Sequence, residues 1–348
     1  MSEKPAAKFD GRVSIHAIFG LLVLAALLGA GAYAWFGPSI LTAPAAPLEN
    51  VAVANIFYTG SCPIIAAQAN GYFSRAGIQV TTQLYDSGKA TVDAVLSGKA
   101  DLAIVGDVPL MASVLNQQPV SVVATTVKSE NDFGIVGRKD KGVTTPASLK
   151  GKRVGLVIGT GGHFFLNILL NQQKLSLSDV TLHDFKAEEL PGALARGDID
   201  AASTWEPILG RLQTQLGGGG VTFLAGDAYS PTLNLVGTQT YVASHAQTLQ
   251  KVLRALIRGA AFCTDNPSEA RELVAAALKV DAGTLAASWP DYRFRVSLDQ
   301  SLLLGLEDEA RWAIKNKIIA RTEMPNFLDH LDMGPLQAVA PAAVTVIH

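Results

Sequence analysis

The sequence predicts an α/β protein of two units behind an N-terminal apolar segment, and three observations carry that prediction. The chain has 348 residues, enough for about two domains. Strand-like and helix-like stretches alternate from residue 51, and the alternation restarts near residue 133. Apolar residues make up 49% and charged residues only 17%, which suits large buried cores and excludes a disordered chain. The 28 Lys and Arg against 30 Asp and Glu give a formal charge of −2, so nothing points to a nucleic-acid partner. Two cysteines, Cys62 and Cys263, are too few for a disulfide scaffold or a zinc site. One disulfide and two free thiols both remain open.

The N-terminus sets the compartment. Val13 to Phe36 carries no charge; Lys4, Lys8 and Arg12 precede it, and no Lys or Arg follows until Arg75. At 1.5 Å per residue such a run can cross a bilayer core of about 30 Å. The one-sided basic charge puts residues 1–12 in the cytoplasm and the body outside. The length of 13–36 favours an uncleaved transmembrane anchor in the inner membrane. A signal peptide cut at Ala32-Tyr33-Ala34 or Ala43-Pro44-Ala45 is the alternative, with the same destination. Residues 37–50 read as an extended Pro/Ala linker.

Strands are expected over 51–57, 78–85, 100–105 and 120–127, apolar on both faces as buried parallel strands are. Helices fall between them near 62–73, 88–98 and 108–116. The second set comprises strands at 133–138, 153–158, 180–185 and 199–204, with helices to about Lys174 and over 187–195. Gly217 to Gly220 reads as a flexible turn, and 235–244 as a last strand. After Ser244 the expectation is helix to the end, with starts at Asn266-Pro267 and at Ser297 with Gln300. Such βα alternation argues for parallel sheets covered on both sides.

Five stretches, in order, then resemble a known family: "YTGSCPIIAAQANGYFSRAGIQV", "SGKATVDAVLSGKADLAIVGDVP", "SLKGKRVGLVIGTGGHFFLNILL", "GALARGDIDAASTWEP" and "YVASHAQTLQKVLRALIRGAAFCTDNPSEARELVA". They are similar to extracytoplasmic substrate-binding proteins of ABC importers, in the nitrate, sulfonate and taurine group. The resemblance runs from about residue 51 to 315. It implies the type II periplasmic binding protein fold, with lobe 1 made of 51–130 plus 244–348 and lobe 2 of 131–243. It further implies capture of a small anion in the cleft, delivery to a membrane permease with its ATPase subunit, and no cofactor.

Ligands of open α/β sheets bind beyond the carboxyl ends of the strands, which selects the candidate residues. Thr160, Gly161, Gly162 and His163 join a strand to a helix, and the first N–H groups of a helix attract anions. The ordinary alternative is a capped turn; a dinucleotide fingerprint is excluded because Phe164 stands where its third Gly belongs. Tyr58, Thr59, Gly60 and Ser61 precede the first helix, with Ser61 as its cap and Tyr58 offering a ring and a hydroxyl. Ser87 and Gly88 open the next helix, and Gly106 and Asp107 form the loop after a strand, where Asp107 is both helix cap and candidate contact. Thr125 ends a strand near the crossover. Trp205 can wall the cleft, Glu206 beside it suits orienting work, and Asn234 precedes the return strand. The six histidines show no metal-ligand spacing.

Two other function classes stand against solute capture. Thiamine-pyrimidine synthases share the fold but carry a cysteine-rich cluster that this chain lacks, and Cys62, at a helix N-terminus, has no identifiable base. A membrane-tethered ligand-sensing subunit is the other. Besides an anion, a neutral or aromatic heterocycle such as a thiamine pyrimidine precursor fits the cleft residues.

Overall fold

A computed structural model describes residues 48–224 and 226–347, together with Leu22, Val23 and Ala26, which are helical. The anchor expected at 13–36 otherwise lies outside the described residues. Among the described residues no helix is long and apolar enough to cross a membrane. The body from Leu48 onward forms one compact unit, distinct from the residues before it.

That body is built on two sheets. The strands are β1 (Glu49–Ile56), β2 (Ile78–Tyr85), β3 (Leu102–Gly106), β4 (Val120–Ser129), β5 (Phe133–Arg138), β6 (Arg153–Leu156), β7 (Thr181–Asp184), β8 (Ala201–Trp205), β9 (Gly220–Leu224), β10 (Thr232–Thr238), β11 (Tyr292–Asp299) and β12 (Val344–Thr345). The larger sheet has the order β12-β11-β4-β10-β3-β1-β2, the smaller β7-β6-β8-β5-β9. The main helices are α1 (Cys62–Ala69), α2 (Gly88–Leu96), α3 (Asp107–Leu115), α4 (Gly161–Gln172), α5 (Leu190–Arg196), α6 (Ile208–Leu216), α7 (Ala246–Asp265), α8 (Pro267–Leu278) and α9 (Gln300–Lys315).

Both sheets are mixed. β1 runs parallel to β2 and β3, but β10 enters antiparallel between β3 and β4. In the smaller sheet β6 is parallel to β7 and β8, while β5 is antiparallel to β8 and β9. The chain passes between sheets twice, at residues 130–132 and at 226–231. The return therefore comes earlier than the expected boundary at 243: Thr232–Thr238 pairs with β3 and β4 and belongs to the first lobe. The expected all-helical tail is also corrected. β11 lies within it, with Arg293 and Arg295 exposed between buried Tyr292, Phe294 and Val296, the alternation of a half-buried strand. Ser297 sits inside β11, and α9 starts after Asp299 without a side-chain cap. Pro267 does occupy the first turn of α8. The glycine run at 217–220 leads into β9.

Cys62 and Cys263 form a disulfide between α1 and α7, Cα–Cα 6.2 Å, both residues fully buried. That decides the alternative left open by the sequence.

Candidate functional site

The strand ends of both sheets meet the two crossovers around a cavity of about 40 Å³. Its walls are Ile56, Tyr58, Gly88, Gly106, Asp107, Pro109, Thr232 and Leu233 from the first lobe and Phe133, Thr160, Gly161 and Trp205 from the second, with Pro231 of the second crossover. A second chamber of about 280 Å³ lies against it, sharing Pro109 and Thr160, with Ser87, Lys89, Asp93, Gly159 and Trp312 in its walls.

Seven of the residues expected from the sequence thus share the inner cavity: Tyr58, Gly88, Gly106, Asp107, Thr160, Gly161 and Trp205. Ser87 lines the outer chamber and caps α2, its hydroxyl accepting from the Ala90 N–H at 3.3 Å. The others stand behind the walls. Thr59 and Ser61 are buried, and Gly60 lies so close under the Tyr58 ring that a Cβ there would meet it at 2.3 Å. Ser61 does not cap α1; its hydroxyl donates to Asn55 Oδ1 at 3.0 Å. Thr125 donates to Asn234 Oδ1 at 2.8 Å and Asn234 donates to Thr232 Oγ1 at 3.0 Å, so this pair satisfies itself within the β4–β10 ladder.

Asp107 is a tie rather than an open contact. Its Oδ1 accepts from the Tyr229 hydroxyl at 2.8 Å and from the Val108 N–H at 2.9 Å, and its Oδ2 from the Thr232 N–H at 2.9 Å. Glu309 stands beside it, also fully buried. Burial raises the Asp107 pKa, and these hydrogen bonds work against the rise. The first crossover is anchored alike: Asp132, fully buried, accepts from the Tyr58 and Ser129 hydroxyls. Burial nonetheless pushes Asp132 up to about 7. Glu206 is also pushed up to about 7 by burial; its carboxylate accepts from the Gly210 N–H and its own N–H donates to the Asp132 carbonyl at 3.0 Å.

The loop into α4 separates its residues by role. The His163 N–H already donates to the Thr160 carbonyl at 3.0 Å, so it is not an open donor. The imidazole is 1% exposed, receives the Gly159 N–H at Nδ1, and is held down at about 4 by burial. Gly162 faces away from the cavity: a Cβ there would meet the Ser203 carbonyl oxygen at 3.1 Å. A Cβ on Gly161 would meet the Phe133 ring at 2.7 Å and the Tyr229 hydroxyl at 2.9 Å, so Gly161 forms the wall itself. Its N–H has no acceptor among the described residues. The same is true of the Trp205 indole Nε1–H, although Trp205 is 4% exposed. Gly161 and Trp205 thus each keep an unmatched donor, and among the described residues no Lys or Arg stands in the walls of the inner cavity. Lys89 in the outer chamber pairs with Asp93 at 2.6 Å.

Sequence reasoning missed Phe133, Tyr229, Pro231 and Thr232 because all four owe their position to the crossovers. It also missed Glu309 and Trp312, which lie in the helical return. Among the described residues no group of three or more His, Cys, Asp or Glu is arranged to hold a metal ion.

Residues 59–270 match the model of the NMT1/THI5-like family. The chain belongs to that family. A binding protein of Brucella abortus is 24% identical over 256 residues, 72% of this chain and 77% of its own length. The taurine-binding periplasmic protein of Escherichia coli is 29% identical over 165 residues, 47% of this chain and 50% of its own. A 4-amino-5-hydroxymethyl-2-methylpyrimidine phosphate synthase of Schizosaccharomyces pombe is 32% identical over 139 residues, 40% and 39%. Among solved structures, the periplasmic aliphatic sulphonate binding protein of Escherichia coli superimposes with a TM-score of 0.70 at 18% identity, covering 81% of this chain and 97% of that one. The two-lobed periplasmic binding protein fold is thereby established. The family match ends before β11 and α9, so Glu309 and Trp312 lie outside it.

Proposed function

We propose that this chain is the extracytoplasmic solute-binding component of an ABC importer, held at the inner membrane by its N-terminal apolar segment. It captures a small organic anion between its lobes and delivers it to a permease served by an ATPase subunit. The observation that carries this reading is the inner cavity, walled by strand ends of both sheets and by a crossover residue. A void of about 40 Å³ holds only a few waters, so an organic solute enters only when the lobes part. The buried disulfide supports an oxidising compartment. The taurine-binding relative supports the anion, as does the unmatched Gly161 N–H in the cavity wall. Helix-end dipoles replace a basic side chain as the counter-charge. The proposal includes no turnover, and both cysteines are tied up in the disulfide.

A second ligand class has its own support. Tyr58, Phe133 and Trp205 wall the cavity with rings, which suits an uncharged aromatic heterocycle, and the pyrimidine phosphate synthase relative points the same way. Thermal unfolding of the full chain in detergent, with taurine, butanesulfonate, nitrate and an aminopyrimidine, separates the two. A ligand at 100 times its Kd stabilises by about 2.7 kcal/mol. Stabilisation by the aminopyrimidine alone overturns the anion, and conversion of a bound compound to product overturns the transport role.

A further inference from the structure

We propose that α9 is the closure latch of the cleft, with Trp312 and Glu309 as positioning residues acting on its two sides. The two lie three residues apart and so share a helix face. Trp312 is 5% exposed, and its ring meets two second-lobe rings edge-on, His163 at 5.1 Å and Phe164 at 5.2 Å. Both belong to the first turn of α4, the turn that presents Gly161 to the inner cavity. Glu309, 1% exposed, stands beside Asp107 of the first-lobe wall, and burial first, then the Asp107 charge, raise its pKa well above the usual carboxylate range. Tyr229 of the second crossover closes the circuit, with its ring 5.2 Å from Phe164 and its hydroxyl on Asp107. One turn of α9 therefore touches both walls of the cleft.

The polar groups at this joint make closure reversible. Trp312 Nε1, His163 Nε2 and Glu309 Oε2 are buried without a hydrogen-bond partner. Each such group forfeits its water on closure and regains it when the lobes separate. The ring contacts work in the opposite direction. Two opposed contributions on one helix turn leave open and closed arrangements near enough in free energy for a solute to decide between them.

The inference rests on the reading of the cleft as a solute site, and the test separates the two. Spin labels are placed on the full chain at exposed positions of either lobe, through Lys99→Cys and Lys186→Cys, and lobe separation is measured without any solute. Trp312→Ala shifts the distances to longer values, and Trp312→Phe, which keeps a ring against Phe164, returns most of the short-distance population. Phe164→Ala gives the same lengthening from the opposite lobe, and it carries the test if Trp312→Ala does not fold. Glu309→Gln, which keeps an uncharged polar side chain of the same size beside Asp107, keeps the wild-type distances, whereas Glu309→Ala lengthens them. Unchanged distances in Phe164→Ala and in every folded Trp312 variant overturn the latch. Taurine is then added to the wild type: a failure to shorten the distances counts against the anion reading and leaves the solute-free result standing.

Discussion

Trp205 gives the cavity a ring and keeps a buried, unmatched indole N–H behind it, and the two contributions can be measured apart. Trp205→Phe keeps an aromatic wall and removes one donor. If an anion is seated there, taurine affinity falls by about 1.5–3 kcal/mol, the worth of a hydrogen bond to a charged group, or roughly 10- to 150-fold. Calorimetry on the folded variant reads this; an unchanged affinity sends the negative group elsewhere. Trp205→Ala removes the ring as well and weakens an organic anion more than nitrate. Three buried titratable residues, His163, Asp132 and Glu206, predict a pH profile of stability with two arms, Glu206 joining Asp132 in the neutral one because burial raises its pKa from 4.5 to about 7. His163 has its pKa lowered from 6.5 to about 4, so its contribution is present above 6.5 and is lost as pH falls through 4. Asp132 has its pKa raised from 3.8 to about 7, so its contribution is present below 3.8 and is lost as pH rises through 7. Denaturant titrations from pH 4 to 8 should show His163→Gln flattening the acid arm, and Asp132→Asn and Glu206→Gln each reducing the neutral one. An unaltered profile in any one variant removes that residue from the account.

At the level of elements, βα alternation was legible and the crossovers were not. Periodicity marks β1, β2, β3 and α1 because each buries its own residues in one layer. Which sheet a strand joins depends on partners far along the chain. β10 shows this: nothing local in "TLNLVGT" says that it slips between β3 and β4. β11 did carry a signal, since Tyr292, Phe294 and Val296 alternate with arginines, but it lay among helices and was read as one of them. The site follows the same division. Loops at strand ends gave Tyr58, Gly106, Asp107, Thr160, Gly161 and Trp205, while Phe133, Tyr229 and Glu309 required the chain to cross between lobes and back. Gly161 and Gly162 are indistinguishable in sequence and differ in space, which allows a prediction. Gly162→Ala presses on the β8 backbone and lowers thermal stability, whereas Gly161→Ala moves the Phe133 side of the cavity and lowers affinity more than stability. Equal effects of both substitutions on affinity defeat that division. The disulfide works on the first lobe alone, joining helices separated by 201 residues in sequence. Its removal by Cys62→Ala with Cys263→Ala should cost about 2–5 kcal/mol, mostly through the freed unfolded chain. Binding should persist at temperatures where the variant stays folded.

For the molecule as a whole, the size of the inner cavity is the governing constraint. On the proposed reading, an organic anion such as taurine exceeds a void of about 40 Å³, so its binding and release would work by separation of the lobes at residues 130–132 and 226–231. Those two segments are tied to each other through the Gly226 N–H and Asn131 Oδ1 at 3.1 Å, and to the first lobe through Asp107 and Asp132. Such ties favour rotation of the second lobe as a body over local unfolding. A solute can shift this equilibrium only by its difference in affinity for the two arrangements, and a change from 1:99 to 99:1 takes about 5.5 kcal/mol. Apparent affinity is the intrinsic affinity scaled by the closed fraction. The full chain should therefore show a smaller lobe separation with saturating taurine than without it. Across Phe164 and Trp312 variants, the loss of affinity should track the loss of closed population in proportion. A variant that opens the lobes with no loss of affinity breaks that proportionality, and would falsify a cleft that holds its solute by closing on it.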